Sequence, residues 1–124
     1  MEIVIGAAGS AHVIVGEADT AIALGSGDVP VLGTPRLVAL LEQAAVAAVD
    51  ADLAHGTTSV GTHIAVDHLA ASFVGARVEA TAEVVEVEGR TVAFRLSAQD
   101  GGRTIATGNH LRIVVDRARF LGRH

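Results

Sequence analysis

The segment from Thr34 to Leu53, TPRLVALLEQAAVAAVDADL, constrains this chain more than any other. It is almost entirely apolar. It opens on Thr34-Pro35, a helix-start pair in which threonine suits the N-cap and proline the first turn. The spacing predicts one long helix that closes near Ala54-His55-Gly56, with Gly56 as its stop. On a helical wheel Arg36, Gln43 and Asp50 recur every seven residues as a polar stripe. Glu42 is not on that stripe. Its neighbours three and four residues away are Val38, Ala39, Ala45 and Val46. A carboxylate on an apolar helix face is costly unless it is paired or hydrogen-bonded, and such positions are candidates for acid–base or nucleophilic work. A glutamate at the edge of a buried face can also simply reach for water, so Glu42 alone does not define a site.

Around the helix the pattern is that of strands. Ala11 to Glu17 reads as a first strand, and Gly25 to Gly33, with three glycines and a proline, as a flexible loop. After the helix, Thr57 to Leu69 alternates, with Val60, Thr62, Ile64, Val66 and His68 on one face and Gly61, His63, Ala65 and Asp67 on the other. Arg77 to Val87 is the next strand. A tight turn at Glu88-Gly89-Arg90 leads into Thr91 to Gln99, where Val92, Phe94, Leu96 and Ala98 share a face. A second turn at Asp100-Gly101-Gly102 precedes Thr104 to Val115, with Ile105, Leu111, Ile113 and Val115 on one side. Arg117 to His124 reads as a basic, frayed tail.

The order is strand, loop, helix, then four antiparallel strands. One apolar helix covers one face of one sheet. A helix apolar on most sides needs further cover, and a second subunit is the simplest source. The expected class is α+β: a hotdog arrangement, one long central helix wrapped by a five-stranded antiparallel sheet, in a homodimer.

Composition excludes several functions. The chain of 124 residues is expected to form a single domain, 1–124, able to bury a core without disulfides or metals. Its longest apolar run is far short of the ~20 residues of a membrane span. The start, MEIVIGAAGSA, lacks the basic opening and long apolar stretch of a signal peptide, so a cytoplasmic location with no membrane partner is expected. There is no cysteine, hence no disulfide or thiolate metal site. A net charge of −5 and the absence of tryptophan and tyrosine argue against nucleic-acid binding. All basic side chains are arginine, which suits phosphate contacts. Histidines are numerous, including His55, His63, His68 and His110. Yet His63 and His68 differ in parity on one strand, and no H-E-x-x-H pattern occurs, so no metal site is expected.

Three polar residues stand out together. His68 shares the face of Ile64 and Val66 that should look at the helix, where Glu42 lies. Thr34 stands at the helix N-terminus, where donors stabilise negative charge. Gly61 allows close approach to the strand backbone. Each also has a structural explanation: an N-cap for Thr34, a strand-end histidine for His68, a bulge at Gly61.

The segments TPRLVALLEQAA, GTTSVGTHIAVDHLAASFVGARVEATAEV, GRTVAFRLSAQD and IATGNHLRIVV resemble the fluoroacetyl-coenzyme A thioesterase-like family of hotdog proteins, from about Val31 to Val115. The resemblance implies hydrolysis of a small acyl-CoA thioester, with CoA as part of the substrate and no cofactor. It implies that Thr34, Glu42 and His68 are catalytic, and that Gly61 and Arg112 contact substrate. In that reading Glu42 attacks the carbonyl or activates a water, His68 moves protons, and Thr34 orients Glu42. On the residues alone, Arg112 is equally a cross-strand partner for a surface carboxylate. The best-known activity of the family uses aromatic residues in the loop before the helix as a lid. Thr20 to Gly33 holds none here, so a different or broader acyl group is expected. The competing readings are a non-catalytic hotdog protein that binds an acyl thioester, and an enoyl-thioester hydratase. A binder has no need of Glu42 on an apolar face, and no hydratase-type motif is present.

Overall fold

The computed structural model describes residues 2–122. Five strands, β1 (Ala8–Ile14), β2 (Thr57–His68), β3 (Arg77–Glu88), β4 (Thr91–Asp100) and β5 (Arg103–Asp116), form one antiparallel sheet in the order β1-β3-β4-β5-β2. The sheet packs on helix α2 (Thr34–Val49). Short helices α1 (Ala21–Leu24) and α3 (Arg117–Leu121) complete the fold. Among the described residues no helix is long and apolar enough to cross a membrane.

The core lies between α2 and the inner sheet face. Leu37, Leu40, Leu41, Ala44, Ala45, Ala48 and Val49 are the buried side of α2. They meet Val78, Ala80, Ala82 and Val84 of β3 and Val92, Phe94, Leu96 and Ala98 of β4. Burial of each such leucine is worth roughly 1.5–3 kcal/mol. The alanines of β3 and α2 allow close seating. Gly9 of β1 takes this furthest: a Cβ there would overlap the Ala48 backbone nitrogen and lie 2.6 Å from the Ala44 carbonyl oxygen.

Several expectations need correction. The first strand is Ala8–Ile14, not Ala11–Glu17, because pairing with β3 and contact with α2 select small residues that carry no hydrophobic signal. The helix proper stops at Val49, and Asp50–Asp52 form a 3₁₀ turn. Acidic side chains at the negative end of a helix oppose its extension. Gly56, with φ 85°, serves instead the turn into β2. The loop Gly25–Gly33 is tied at its far end by the bridges Thr20↔Leu32 and Val31↔Phe73. The tail forms α3 from Arg117 to Leu121, with the Asp116 carboxylate accepting from Arg119 N–H at 2.9 Å. Its last two residues lie outside the described ones. Both hairpin turns fall where expected, with Gly89 and Gly101 at φ 61° and 63°.

The face of β5 is also different. Ile105 is an extra residue, since Ala98 pairs with Ala106 and Gln99 with Thr104. Ile105 is buried as read. Beyond it, however, His110, Arg112 and Val114 turn inward and are buried, while Leu111, Ile113 and Val115 are only half-buried.

Candidate active site

Thr34 is the first residue of α2, not its cap. Gly33 caps instead: its carbonyl oxygen accepts from the N–H groups of both Arg36 and Leu37 at 3.1 Å. Those donors are the ones a threonine cap would have served. The Thr34 hydroxyl is thereby free, and it bonds His68 Nδ1 at 2.8 Å across to the end of β2. The helix start is fixed by Asp19, whose backbone oxygen accepts from Gly33 N–H (2.9 Å) and whose carboxylate pairs with Arg36 (3.1 Å). His68 Nε2 is buried without a hydrogen-bond partner. Burial holds this imidazole below the usual histidine range, a shift the nearby Ala70 backbone partly offsets. The pair borders an open cavity of about 440 Å³, walled by Ser26, Gly27, Asp28 and Val29 of the loop before α2.

Glu42 lies two helical turns further along α2. Its side chain is 39% exposed, at the rim of the buried face rather than within it. Arg112, 9% exposed, gives it a cation: Nη1 donates to Glu42 Oε2 at 3.4 Å. The guanidinium is fixed from β2 by Ser59, through Nε to the hydroxyl (2.8 Å) and Nη2 to the carbonyl oxygen (3.0 Å). The carboxylate that Arg112 pairs with thus stands on α2, not on a neighbouring strand. Burial lowers its pKa, and Glu42 opposes that shift. Ala39, Glu42, Gln43, Val46 and Arg112 line a shallow cavity of about 350 Å³.

Gly61 faces this second group. A Cβ on it would lie 2.7 Å from Glu42 Oε2 and 3.2 Å from His110 Cε1. Alternation across β2 had placed Gly61 opposite His68. A bulge at Thr62 reverses the parity: Gly61 pairs with Arg112 and His63 with Leu111, so Thr62 is the extra residue. Ser59 and Gly61 before the bulge then share the inner face with Ile64, Val66 and His68 after it.

The structure thus forms two groups in one protomer. Thr34 joins His68, and Glu42 joins Gly61, Arg112, Ser59 and His110. Eight helical residues separate Thr34 from Glu42, about 12 Å of rise. Gly61 and His68 are about 20 Å apart along β2. The three residues expected to act together do not meet within one chain. His110 and Ser59 were not recognised as members of the site. The available signal was the inward row His110-x-Arg112 beside Gly61, which only the bulge aligns. Among the described residues no three histidine or carboxylate side chains converge as metal ligands.

An apolar helix cradled by a five-stranded antiparallel sheet, with polar side chains gathered at its rim, defines a hotdog protein. The hot-dog-like protein of Thermanaerovibrio acidaminovorans superposes with a TM-score of 0.87 at 28% identity, over 96% of this chain and 88% of its own. The sequence profile of the fluoroacetyl-CoA-specific thioesterases, FlK, matches residues 15–118, and the chain belongs to this family. The fluoroacetyl-CoA thioesterase of Streptantibioticus cattleyicolor is 42% identical over 90 residues, which are 73% of this chain and 65% of that protein. The matched stretch thus spans just under two thirds of that relative. A variant of the fluoroacetyl-CoA-specific thioesterase, solved with fluoroacetate and CoA, is 35% identical with a TM-score of 0.85, covering 94% of this chain and 98% of that one.

Proposed function

We propose that this chain hydrolyses a small acyl-CoA thioester to the free acid and CoA, at a site shared between the two subunits of a homodimer. The observation that carries the reading is the pair of half-sites: a Thr34–His68 hydrogen bond at one end of β2 and a Glu42–Arg112 pair at the other. β2 is an edge strand with a free backbone edge, and Gly61, Thr62, His63, Ala65 and Asp67 are exposed along it. Such an edge accepts a second strand. With the extra residue Thr62 set aside, Gly61 lies three positions before Ala65 and His68 three positions after it. Antiparallel pairing of two β2 strands about that point sets His68 of the partner subunit opposite Gly61, beside Glu42. The same pairing covers Val38, Ala39 and Val46, the apolar residues left at least partly exposed around Glu42.

The chemistry then draws on side chains alone, with no cofactor. Glu42 Oε2 is held by Arg112, and Glu42 delivers the attacking oxygen, its own or that of a water it deprotonates. The oxygen bonds the thioester carbon. Where water attacks, Glu42 takes its proton, the C–S bond breaks, and that proton passes through His68 to the departing CoA thiolate. Where Glu42 itself attacks, the C–S bond breaks to leave an acyl–Glu42 anhydride, which a water then hydrolyses, its proton passing through His68 to the thiolate. With Nδ1 anchored on Thr34, His68 Nε2 is the atom that carries it. Burial of the ring favours its neutral form, which accepts the proton before passing it on. Gly61 leaves room at the carbonyl, and Arg112 contacts the acyl-thioester. The loop wall of serine, glycine, aspartate and valine, without an aromatic lid, supports an acyl group other than, or broader than, fluoroacetyl. The lack of cysteine suits a cytoplasmic enzyme.

The test is release of free thiol from a panel of short acyl-CoA esters, fluoroacetyl included. Turnover of at least one ester is expected. Binding without turnover on any would replace the enzyme by a thioester-binding protein. The shared site has its own check. Glu42→Gln and His68→Ala, each inactive, are unfolded together in equal amounts and refolded. Half of the dimers are then mixed and carry one intact site of two, so about a quarter of parental activity should return. No recovery, with mixed dimers demonstrated, would put the whole site in one protomer.

A further inference from the structure

We propose that His110 is a positioning residue for this reaction, holding the Arg112 guanidinium against Glu42 through one fixed tautomer. The inference rests on the thioesterase reading above and adds to it a residue with no part in the chemistry as stated. His110 is 1% exposed and sits on β5, two residues from Arg112 on the same inner face. Its Nδ1 lies 2.7 Å from the His63 carbonyl oxygen. A carbonyl only accepts, so Nδ1 carries the proton. In the neutral ring Nε2 is then an acceptor. Arg112 Nη1 stands 3.1 Å from it and donates. Nη1 has two hydrogens, one for His110 Nε2 and one for Glu42 Oε2. The guanidinium is fixed on three sides, by Ser59, His110 and Glu42.

His63 is the first residue after the Thr62 bulge. The irregularity that turns Gly61 inward also carries the carbonyl that sets the His110 tautomer. The ring of Phe94, on β4, backs the imidazole at a centroid distance of 5.8 Å. The titratable groups facing His110 are Glu42 from α2, His63 from β2 and Arg112 on its own strand. A proton on Nε2 would turn a donor toward Arg112 Nη1 and break the arrangement. It would also set a second cation 3.8 Å from Glu42 Oε2. Burial, assisted by Arg112, lowers the His110 pKa, which keeps the ring neutral at pH 7.

Two measurements on the chain of 124 residues test this. His110→Asn keeps a donor near the Nδ1 position and removes the acceptor. It should lower kcat by about 10–100-fold, with a smaller rise in KM because Arg112 also contacts the substrate, the size seen when a residue orienting a functional group is lost. His110→Gln, which reaches Arg112 again, should recover most of that loss. A kcat for His110→Asn within about twofold of the parent, or a loss confined to KM, would overturn the proposal. The second measurement needs no turnover and no variant. Long-range ¹H–¹⁵N NMR of the parent should show His110 protonated on Nδ1 at pH 7. A proton on Nε2 would overturn the arrangement even if the asparagine variant failed to fold. Should the parent hydrolyse no ester, the thioesterase reading fails, and the NMR result still decides how His110 is held.

Discussion

Glu42→Gln should lower kcat on the best acyl-CoA substrate by about 10³-fold or more, with the fold intact. The substitution keeps shape and volume, and the amide oxygen can still accept from Arg112 Nη1. It removes the negative charge, and with it both nucleophile and base. The carboxylate is over a third exposed, so its pairing with Arg112 contributes little to stability, about 0–1 kcal/mol. Melting should therefore shift by only a few degrees while thiol release disappears. Activity within tenfold of the parent would remove Glu42 from the chemistry. Loss of activity together with loss of the folded state would make its role structural, as a partner for a buried arginine.

A large effect on stability is expected at Gly9, which seats β1 on α2. Gly9→Ala places a methyl group onto the backbone of α2, against Ala48 N and 2.6 Å from Ala44 O. Neither can yield as a side-chain tip would; β1 or α2 must move as a whole. Overpacking of this kind costs about 3 kcal/mol, at the upper end of its usual range, or about 10 °C in Tm. Gly102→Ala is the control, since nothing lies within 4 Å of a Cβ there. Thermal unfolding at one fixed protein concentration separates the two. Equal Tm values for both variants would mean that β1 does not seat on α2 as described.

Much of the fold was legible because its signals are local. Thr34-Pro35 and the apolar run mark α2. Alternation and the glycines at 89 and 101 mark β2 through β5 and their turns. The first strand was displaced because Gly9, Ser10 and Ala11 are selected by contact with a helix that lies far along the chain. The candidate site was half legible. Thr34, Glu42, His68, Gly61 and Arg112 are visible as polar or glycine positions in apolar surroundings, and as matches to the family pattern. Their grouping was not visible. Strict alternation put Gly61 on the wrong face of β2, and apolar count put Leu111, Ile113 and Val115 inward in place of His110, Arg112 and Val114.

What the sequence determined by itself was the inventory: one apolar helix, a set of alternating strands, and a carboxylate, an imidazole and a hydroxyl placed where such groups are costly or exposed to a helix end. Period and turn chemistry are properties of neighbouring residues, so they survive in the string of letters. The tertiary structure alone decided which of these groups touch. One extra residue at Thr62 inverts every side chain beyond it, because a strand has a period of two. It is this inversion that sets Gly61 against Glu42, His63 against His110, and His68 at the far end of the same face.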